Sequence, residues 1–279
     1  MQIKSEQSFR LTSRMKDVVI VILLVVIMVL TGRIVTLQQD NAPLLYDATI
    51  DEIVENDEDL IWHLDDFPEE FRPANVLADG GILLGFDGSA SAELNLHAPT
   101  ISIAFDYTCP FSKMLEEINA SDLFHLANDG IVNVVFYPVG ILNHATPDYF
   151  STRAAAATYW IASNSPEHFL AFHVAVFIND YQELEIGFTD SELAQIAVTV
   201  GVSPEVAAGI ADGRAIDYYA GWAWLVSEEI IHADAWQSIN NDGHSGFATP
   251  TILWNGVQTN VEWFVESGIS TFIWEQLSQ

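Results

Sequence analysis

The sequence predicts an α/β fold for residues 79–279, and the first support comes from three consecutive segments. Residues 100–105 form an apolar run of the kind found in buried strands. Residues 112–128 carry apolar side chains at helical spacing, and residues 131–139 are rich in β-branched and aromatic side chains. A strand, a helix and a second strand in this order are typical of a βαβ unit.

The second half of the predicted domain supports the same fold class. Residues 148–240 have a mainly helical pattern, and residues 247–254 then form a strand-like apolar run. Asn255-Gly256 is a strong hairpin signal, and residues 257–261 can supply the returning strand. Residues 262–277 predict a final amphipathic helix that is interrupted near Gly268.

Local signals mark helix starts inside the helical block. Thr189 and Glu192 have the spacing of a capping box, in which each residue's side chain bonds a backbone N–H of the other. Ser203-Pro204 places an N-cap before a proline in the first helical turn. Residues 215–239 are predicted as one long helix rich in aromatic side chains, which we expect to lie in the core.

An N-terminal segment has the length and composition of a membrane anchor. Residues 18–37 provide a mostly apolar span of the length that a transmembrane helix needs, with residues 1–17 as a cytoplasmic tail. A cleaved signal peptide and a buried core helix are the alternatives, but no Ala-x-Ala-like cleavage site follows the segment. Basic residues precede the span and are scarce after it, so the positive-inside rule places the domain in the periplasm or at the cell exterior.

The charge of the chain excludes one class of partner. The formal net charge is −30, and such a surface repels nucleic acid. Residues 38–78 are dense in carboxylates, which predicts an acidic stalk that holds the domain away from the membrane. An acidic interaction segment is the alternative for this stretch, and a salt-rich habitat would also suit the acidic surface.

Cys109 is the only cysteine, so the chain cannot form an intramolecular disulfide. It lies between a predicted strand and a predicted helix start, where a thiolate is stabilised by the helix dipole. A lone cysteine is otherwise commonly an inert core residue. The histidines are scattered, and His168 and His173 lack the spacing of a helical metal pair, so we predict no metal and no cofactor.

Two sequence motifs, one of which contains this cysteine, resemble motifs of a known family. Residues 105–112, Phe-Asp-Tyr-Thr-Cys-Pro-Phe-Ser, resemble the active-site stretch of DsbA-like thioredoxin-fold proteins, whose usual pattern ends Cys-Pro-x-Cys. Residues 248–256, Ala-Thr-Pro-Thr-Ile-Leu-Trp-Asn-Gly, resemble the cis-proline loop, strand and turn of that family. The helical block at about 148–240 resembles its helical insertion. The resemblance implies a thioredoxin-like fold with a helical insertion, and the transmembrane helix predicted at residues 18–37 precedes it.

The resemblance also implies roles for individual residues. Cys109 matches the nucleophile, Ser112 occupies the position of the second cysteine, and the remaining positions are expected to tune the thiol or bind substrate: Pro110, Phe111, Thr249 and Pro250. Ser112 can donate a hydrogen bond to the Cys109 thiolate but cannot release a mixed disulfide.

Two functions are compatible with a cysteine that has no partner. The first is monothiol exchange or isomerisation on extracytoplasmic proteins that contain cysteines or disulfides. The alternative is a redox-inactive module that binds peptides or a partner protein in the same groove. The preserved Cys109 favours exchange, and the serine at position 112 favours the binding module.

Overall fold

A mixed β-sheet forms the centre of the fold in the computed structural model, which describes residues 64–146, 148–179, 187–239 and 245–278. Its order is β2-β1-β4-β3-β7-β8, and a separate hairpin pairs β5 with β6. The strands are β1 Ile82–Leu84, β2 Ala90–Ser91, β3 Thr100–Phe105, β4 Asn133–Pro138, β5 Ser238–Ile239, β6 Ser245–Gly246, β7 Thr251–Trp254 and β8 Val257–Gln258.

The helices cover this sheet and build the helical block. They are α1 Pro110–Asn128, α2 Phe150–Asn164, α3 Phe169–Ile178, α4 Asp190–Thr199, α5 Pro204–Ala211, α6 Arg214–His232, α7 Val261–Ser267 and α8 Ile269–Leu277. Within the described ranges, no helix is both long enough and apolar enough to cross a membrane. The predicted anchor at residues 18–37 lies outside those ranges.

The predicted βαβ unit is confirmed. Strand β3 runs parallel to β4, with Ile101 opposite Val134, and α1 connects the two strands. On its other side β3 pairs antiparallel with β7. The neighbouring residues Ile103 and Ala104 point to opposite faces of β3 and are both fully buried, so the strand is covered on both faces, which explains the near-continuous apolar run in the sequence.

The helical block lies where the sequence predicted it, and its start signals are confirmed. Thr189 and Glu192 form both bonds of the capping box at α4, and Ser203 caps α5 ahead of Pro204. The long helix predicted over residues 215–239 is shorter in the structure. Helix α6 ends at His232, and the chain turns and enters β5 instead.

Helices α2 and α6 form the closest helix pair of this block. Residues 154–157 are four consecutive alanines in α2, and all are buried. Small side chains allow the backbones to approach, so the large aromatic side chains of α6 can pack between the helices. Trp222 of α6 is buried and contacts the ring of Tyr159 edge-on.

The acidic segment predicted for residues 38–78 includes a part that packs on the domain. Leu64 and Phe67 are buried, and the Phe67 ring lies 5.2 Å from that of Trp222. The backbone N–H of Leu64 donates to Glu229 Oε1 at 2.6 Å, and Arg72 donates to carbonyl groups of the same turn. Residues 64–78 therefore belong to the folded domain, and the rest of the segment lies outside the described ranges.

Candidate thiol site

Cys109 lies where the central strand gives way to the first helix. It follows the end of β3 by four residues and is the N-cap of α1, with Pro110 as the first helical residue. Its backbone N–H donates to the carbonyl of Asp106 at 3.0 Å, which closes a tight turn. Cys109 is 4% exposed, so the residue is almost entirely covered by its neighbours.

The loop before β7 lies against this sulfur, although it is far away in sequence. Cys109 Sγ donates to the carbonyl oxygen of Thr249 at 3.1 Å. The antiparallel pairing of β3 with β7 brings the two segments together, because Ala104 lies opposite Thr251. The Thr249–Pro250 peptide bond is cis, as the family resemblance predicted, and Pro250 is buried.

The other predicted site residues divide into an exposed and a buried group. Pro110 is exposed, and Phe111 is 63% exposed beside the thiol, which makes it available to a bound polypeptide. Ser112 is fully buried in the first turn of α1. Its Oγ accepts a hydrogen bond from the backbone N–H of Asp106 at 3.4 Å. Among the described contacts, the Ser112 hydroxyl makes no hydrogen bond to Cys109 Sγ.

Asp106, to which the sequence motif assigns no role, is a hub of the site. Its carboxylate is fully buried and accepts from Thr108 N at 2.8 Å, Ser151 Oγ at 2.7 Å and Leu142 N at 2.9 Å. Burial raises its pKa above the ordinary value, and the hydrogen bonds from Ser151 and the backbone N–H groups oppose that rise. The signal in the sequence is an aspartate directly before the cysteine turn, but its partners are 36 and 45 residues away.

A second buried polar chain begins at the neighbouring residue, Tyr107. Its hydroxyl lies 2.8 Å from Thr158 Oγ1 and 3.0 Å from His173 Nδ1. Because Thr158 Oγ1 already donates to a backbone carbonyl, Tyr107 donates to Thr158 and accepts from His173. His173 Nε2 then faces Glu116 Oε1 at 3.3 Å, and both side chains are buried.

The hydrogen-bonded chain ends at this contact, because neither Glu116 Oε1 nor His173 Nε2 has a hydrogen-bond partner among the described residues. Rings of Phe105, Phe136 and Phe177 surround the imidazole, so His173 lies in the aromatic core of the domain. The described residues contain no group of three or more histidine, cysteine or carboxylate side chains placed to hold a metal ion.

The positive charges of the described domain are all engaged by nearby groups. Arg72 bonds backbone carbonyls, Lys113 lies 3.9 Å from Glu117, and Arg214 lies 3.0 Å from Asp212. Arg153 bridges two carboxylates at the start of α2 and α4. The domain therefore presents a negative electrostatic field to an approaching substrate.

Comparison with curated proteins gives a partial match. The chain matches no family model. It is 33% identical over 119 residues to the serine/threonine-protein kinase PknE of Mycobacterium tuberculosis and of Mycobacterium bovis. The match covers 41% of this chain and 21% of the kinase, so the chain spans about a fifth of the length of the curated relatives that it matches.

Comparison with solved structures covers most of the domain. The MdbA protein of Actinomyces oris, a thiol-disulfide oxidoreductase, superposes with a TM-score of 0.58 at 20% identity, over 74% of this chain and 92% of that structure. The disulfide bond oxidoreductase DsbG of Mycobacterium tuberculosis superposes with a TM-score of 0.52 at 25% identity, over 71% and 88%. A second MdbA protein, from Corynebacterium diphtheriae, gives 0.52 at 22% identity, over 67% and 93%.

These matches agree with the architecture described above. The βαβ unit, the cis-proline loop beside the thiol and the helical block between them occur in the order that the resemblance predicted. The chain is a DsbA-like thioredoxin-fold protein.

Proposed function

We propose that this protein is a membrane-anchored, extracytoplasmic thiol–disulfide exchange protein that acts through Cys109 alone. The observation that carries the proposal is the position of Cys109, which is the N-cap residue of α1 and whose sulfur bonds the carbonyl of Thr249 in the cis Thr249–Pro250 loop. Helix N–H groups stabilise a negative sulfur, and the exposed Phe111 and the Thr249 backbone flank it where a substrate polypeptide can bind.

The exchange step conserves the number of disulfides. The Cys109 thiolate attacks a substrate disulfide, so that a bond from Sγ to the substrate sulfur forms as the substrate's own sulfur–sulfur bond breaks. The departing substrate thiolate takes up a proton. Release then requires a thiol from outside this chain, because the residue at position 112 is a serine. If the same substrate supplies that thiol, the outcome is isomerisation, and if another thiol supplies it, the mixed disulfide is reduced.

The anchor and the location form part of the proposal. Residues 18–37 hold the protein in the membrane, and the scarcity of basic residues after the span favours an extracytoplasmic domain. Disulfides persist in that compartment, so substrates are extracytoplasmic proteins with cysteines or disulfides.

The second candidate, a redox-inactive module that binds polypeptide, rests on the burial of Cys109. Cys109 is 4% exposed, and its thiol is occupied by the hydrogen bond to Thr249. In this function Phe111 and the 249–250 loop would still bind an extended segment, and the thiol would serve only as a buried apolar group.

Mixed-disulfide trapping in cells that express the full chain separates the two functions. Proteins are quenched with acid, free thiols are alkylated, and complexes of the chain are separated without reductant. The exchange function predicts adducts that disappear on reduction and that are absent from Cys109→Ser. Ser112→Cys is the informative partner variant, because it supplies the missing thiol and should clear the adducts while forming a disulfide within the chain. The exchange function would be eliminated if wild-type cells contained no adduct and if the Cys109→Ser variant replaced the wild-type protein in cells without loss of function.

A further inference from the structure

The buried carboxylate of Asp106 carries a cost in stability. It is fully buried, and no cationic group of the described residues contributes to its pKa. An unpaired buried charge is unfavourable unless hydrogen bonds replace its hydration. The side chain thus costs free energy at a position where an amide or an apolar residue would avoid the charge, and such costs are common where a site requires a particular geometry.

All the partners of this carboxylate are donors, and they come from three separate segments. Thr108 donates from the cysteine turn, Ile141 and Leu142 donate from the loop after β4, and Ser151 donates from α2. An ionised carboxylate is an acceptor only, so this arrangement suits the charged form. A protonated carboxyl group would have to displace one of these donors.

The same residue is bonded to the thiol turn through its backbone as well. The Asp106 carbonyl accepts from Cys109 N, and its N–H donates to Ser112 Oγ. Thr108 Oγ1 and Ser151 Oγ lie 2.7 Å apart, and because Ser151 donates to the carboxylate, Thr108 donates to Ser151. The side chain and the backbone of one residue therefore join the turn of Cys109 to the helical block.

From this geometry we infer that Asp106 is the positioning residue of the thiol site. Its ionised carboxylate holds the Cys109 turn against the 141–142 loop and α2, so that the sulfur stays buried beside the carbonyl of Thr249. The inference deepens the proposed function and rests on it, because a fixed orientation of the sulfur is useful only if the thiol reacts. Protonation of Asp106 removes an acceptor, loosens the turn and exposes the sulfur.

The segments that pack against the Asp106 carboxylate carry other titratable groups. None of these groups bonds the carboxylate, because each has another partner or is exposed. Tyr107 points to Thr158 and His173, and Asp148 pairs with Arg153. The remaining groups are Cys109 itself, the exposed His144 on the 141–149 loop, and Lys113 and Glu116 on α1, of which Lys113 lies near Glu117 and Glu116 faces His173.

The test measures the rate at which Cys109 of the full chain reacts with 2,2′-dithiodipyridine, relative to N-acetylcysteine, from acid to neutral pH. For the wild type we expect the relative rate to rise at least twofold as the pH falls through the pKa of Asp106. Asp106→Asn should abolish this step and keep the raised rate at every pH. Ser151→Ala removes one donor to the carboxylate, so the step should move to higher pH by roughly half to one pH unit.

Thr158→Val is the matched control, because it removes a buried hydroxyl from the same helix that bonds Tyr107 rather than Asp106. In this variant the step in relative Cys109 reactivity should stay at the wild-type pH, even if the variant is less stable. The inference fails if the wild type shows no step, if Asp106→Asn retains it, or if Ser151→Ala leaves its midpoint unchanged. These outcomes are independent of mixed-disulfide trapping, so a site that fixes its thiol through Asp106 but forms no adducts would contradict only the proposed function.

Discussion

Replacement of Tyr107 by phenylalanine tests the buried polar chain beneath the thiol site. The change keeps the ring contacts with Phe105 and Phe177, whose centroids lie 5.1 and 4.8 Å from the Tyr107 ring. It removes the hydroxyl that donates to Thr158 and accepts from His173. The effect on stability therefore reports hydrogen bonding rather than packing.

The structure sets the size of this effect. Loss of the bond to Thr158 costs about 1 kcal/mol, because Thr158 Oγ1 keeps its own bond to a backbone carbonyl. The Nδ1–H of His173 is left without an acceptor in a fully buried position, which costs about 1–3 kcal/mol more. The free energy of unfolding should fall by about 2–4 kcal/mol, and Tm should fall by at least about 4 °C for a domain of this size.

Thermal unfolding of the full chain in detergent, followed by tryptophan fluorescence, measures the change. Tyr218→Phe is the matched control, because Tyr218 is half-buried and its hydroxyl has no hydrogen-bond partner among the described residues. We expect that control to stay within about 0.5 kcal/mol of the wild type. If Tyr107→Phe does the same, the assignment of its hydroxyl as the link between Thr158 and His173 is wrong.

Three further outcomes are expected. Arg153→Met should lower the free energy of unfolding by about 1–3 kcal/mol in denaturant titrations, because it leaves Asp148 and Asp190 unpaired, and Arg153→Lys should restore less than half of the loss. Relative to N-acetylcysteine, Cys109 should favour the cationic disulfide cystamine over anionic oxidised glutathione about tenfold at low salt, and this preference should approach one in 1 M NaCl, where the Debye length is about 3 Å. Burial raises the pKa of Asp106, so between its ordinary and its raised pKa the folded state binds a proton that the unfolded chain has released. The stability that this group contributes is therefore present below its ordinary pKa and is lost as the pH rises through the raised value. Asp106→Asn should remove that slope from a plot of unfolding free energy against pH, and an unchanged slope would show that another group causes it.

Much of the fold could be predicted from the sequence because its signals are local. The apolar run of β3, the capping box at Thr189 and the hairpin signal after β7 each lie within one element. The end of α6 at His232 could not be predicted in this way. The sequence beyond it is still compatible with a helix, and the chain leaves the helix because Trp236 packs against the ring of Tyr137 on β4.

The thiol site shows the same division between local and distant causes. Cys109 and the cis-proline loop could be predicted because each carries a short motif, and the pairing of β3 with β7 brings the two motifs together. The surroundings of the thiol depend on partners that no motif marks, such as Ser151 for Asp106 and His173 for Tyr107.

These distant partners also explain why the missing second cysteine does not by itself decide the function. Ser112 removes the ability to release a mixed disulfide, yet the buried charge of Asp106 remains beneath the turn and still holds the sulfur in place. A domain that used its groove only to bind polypeptide would gain stability by replacing that carboxylate with a neutral side chain. A thiol that reacts gives the buried carboxylate a role, and for that reason the pH-dependent step in Cys109 reactivity and the trapping of mixed disulfides are best measured on the same variants.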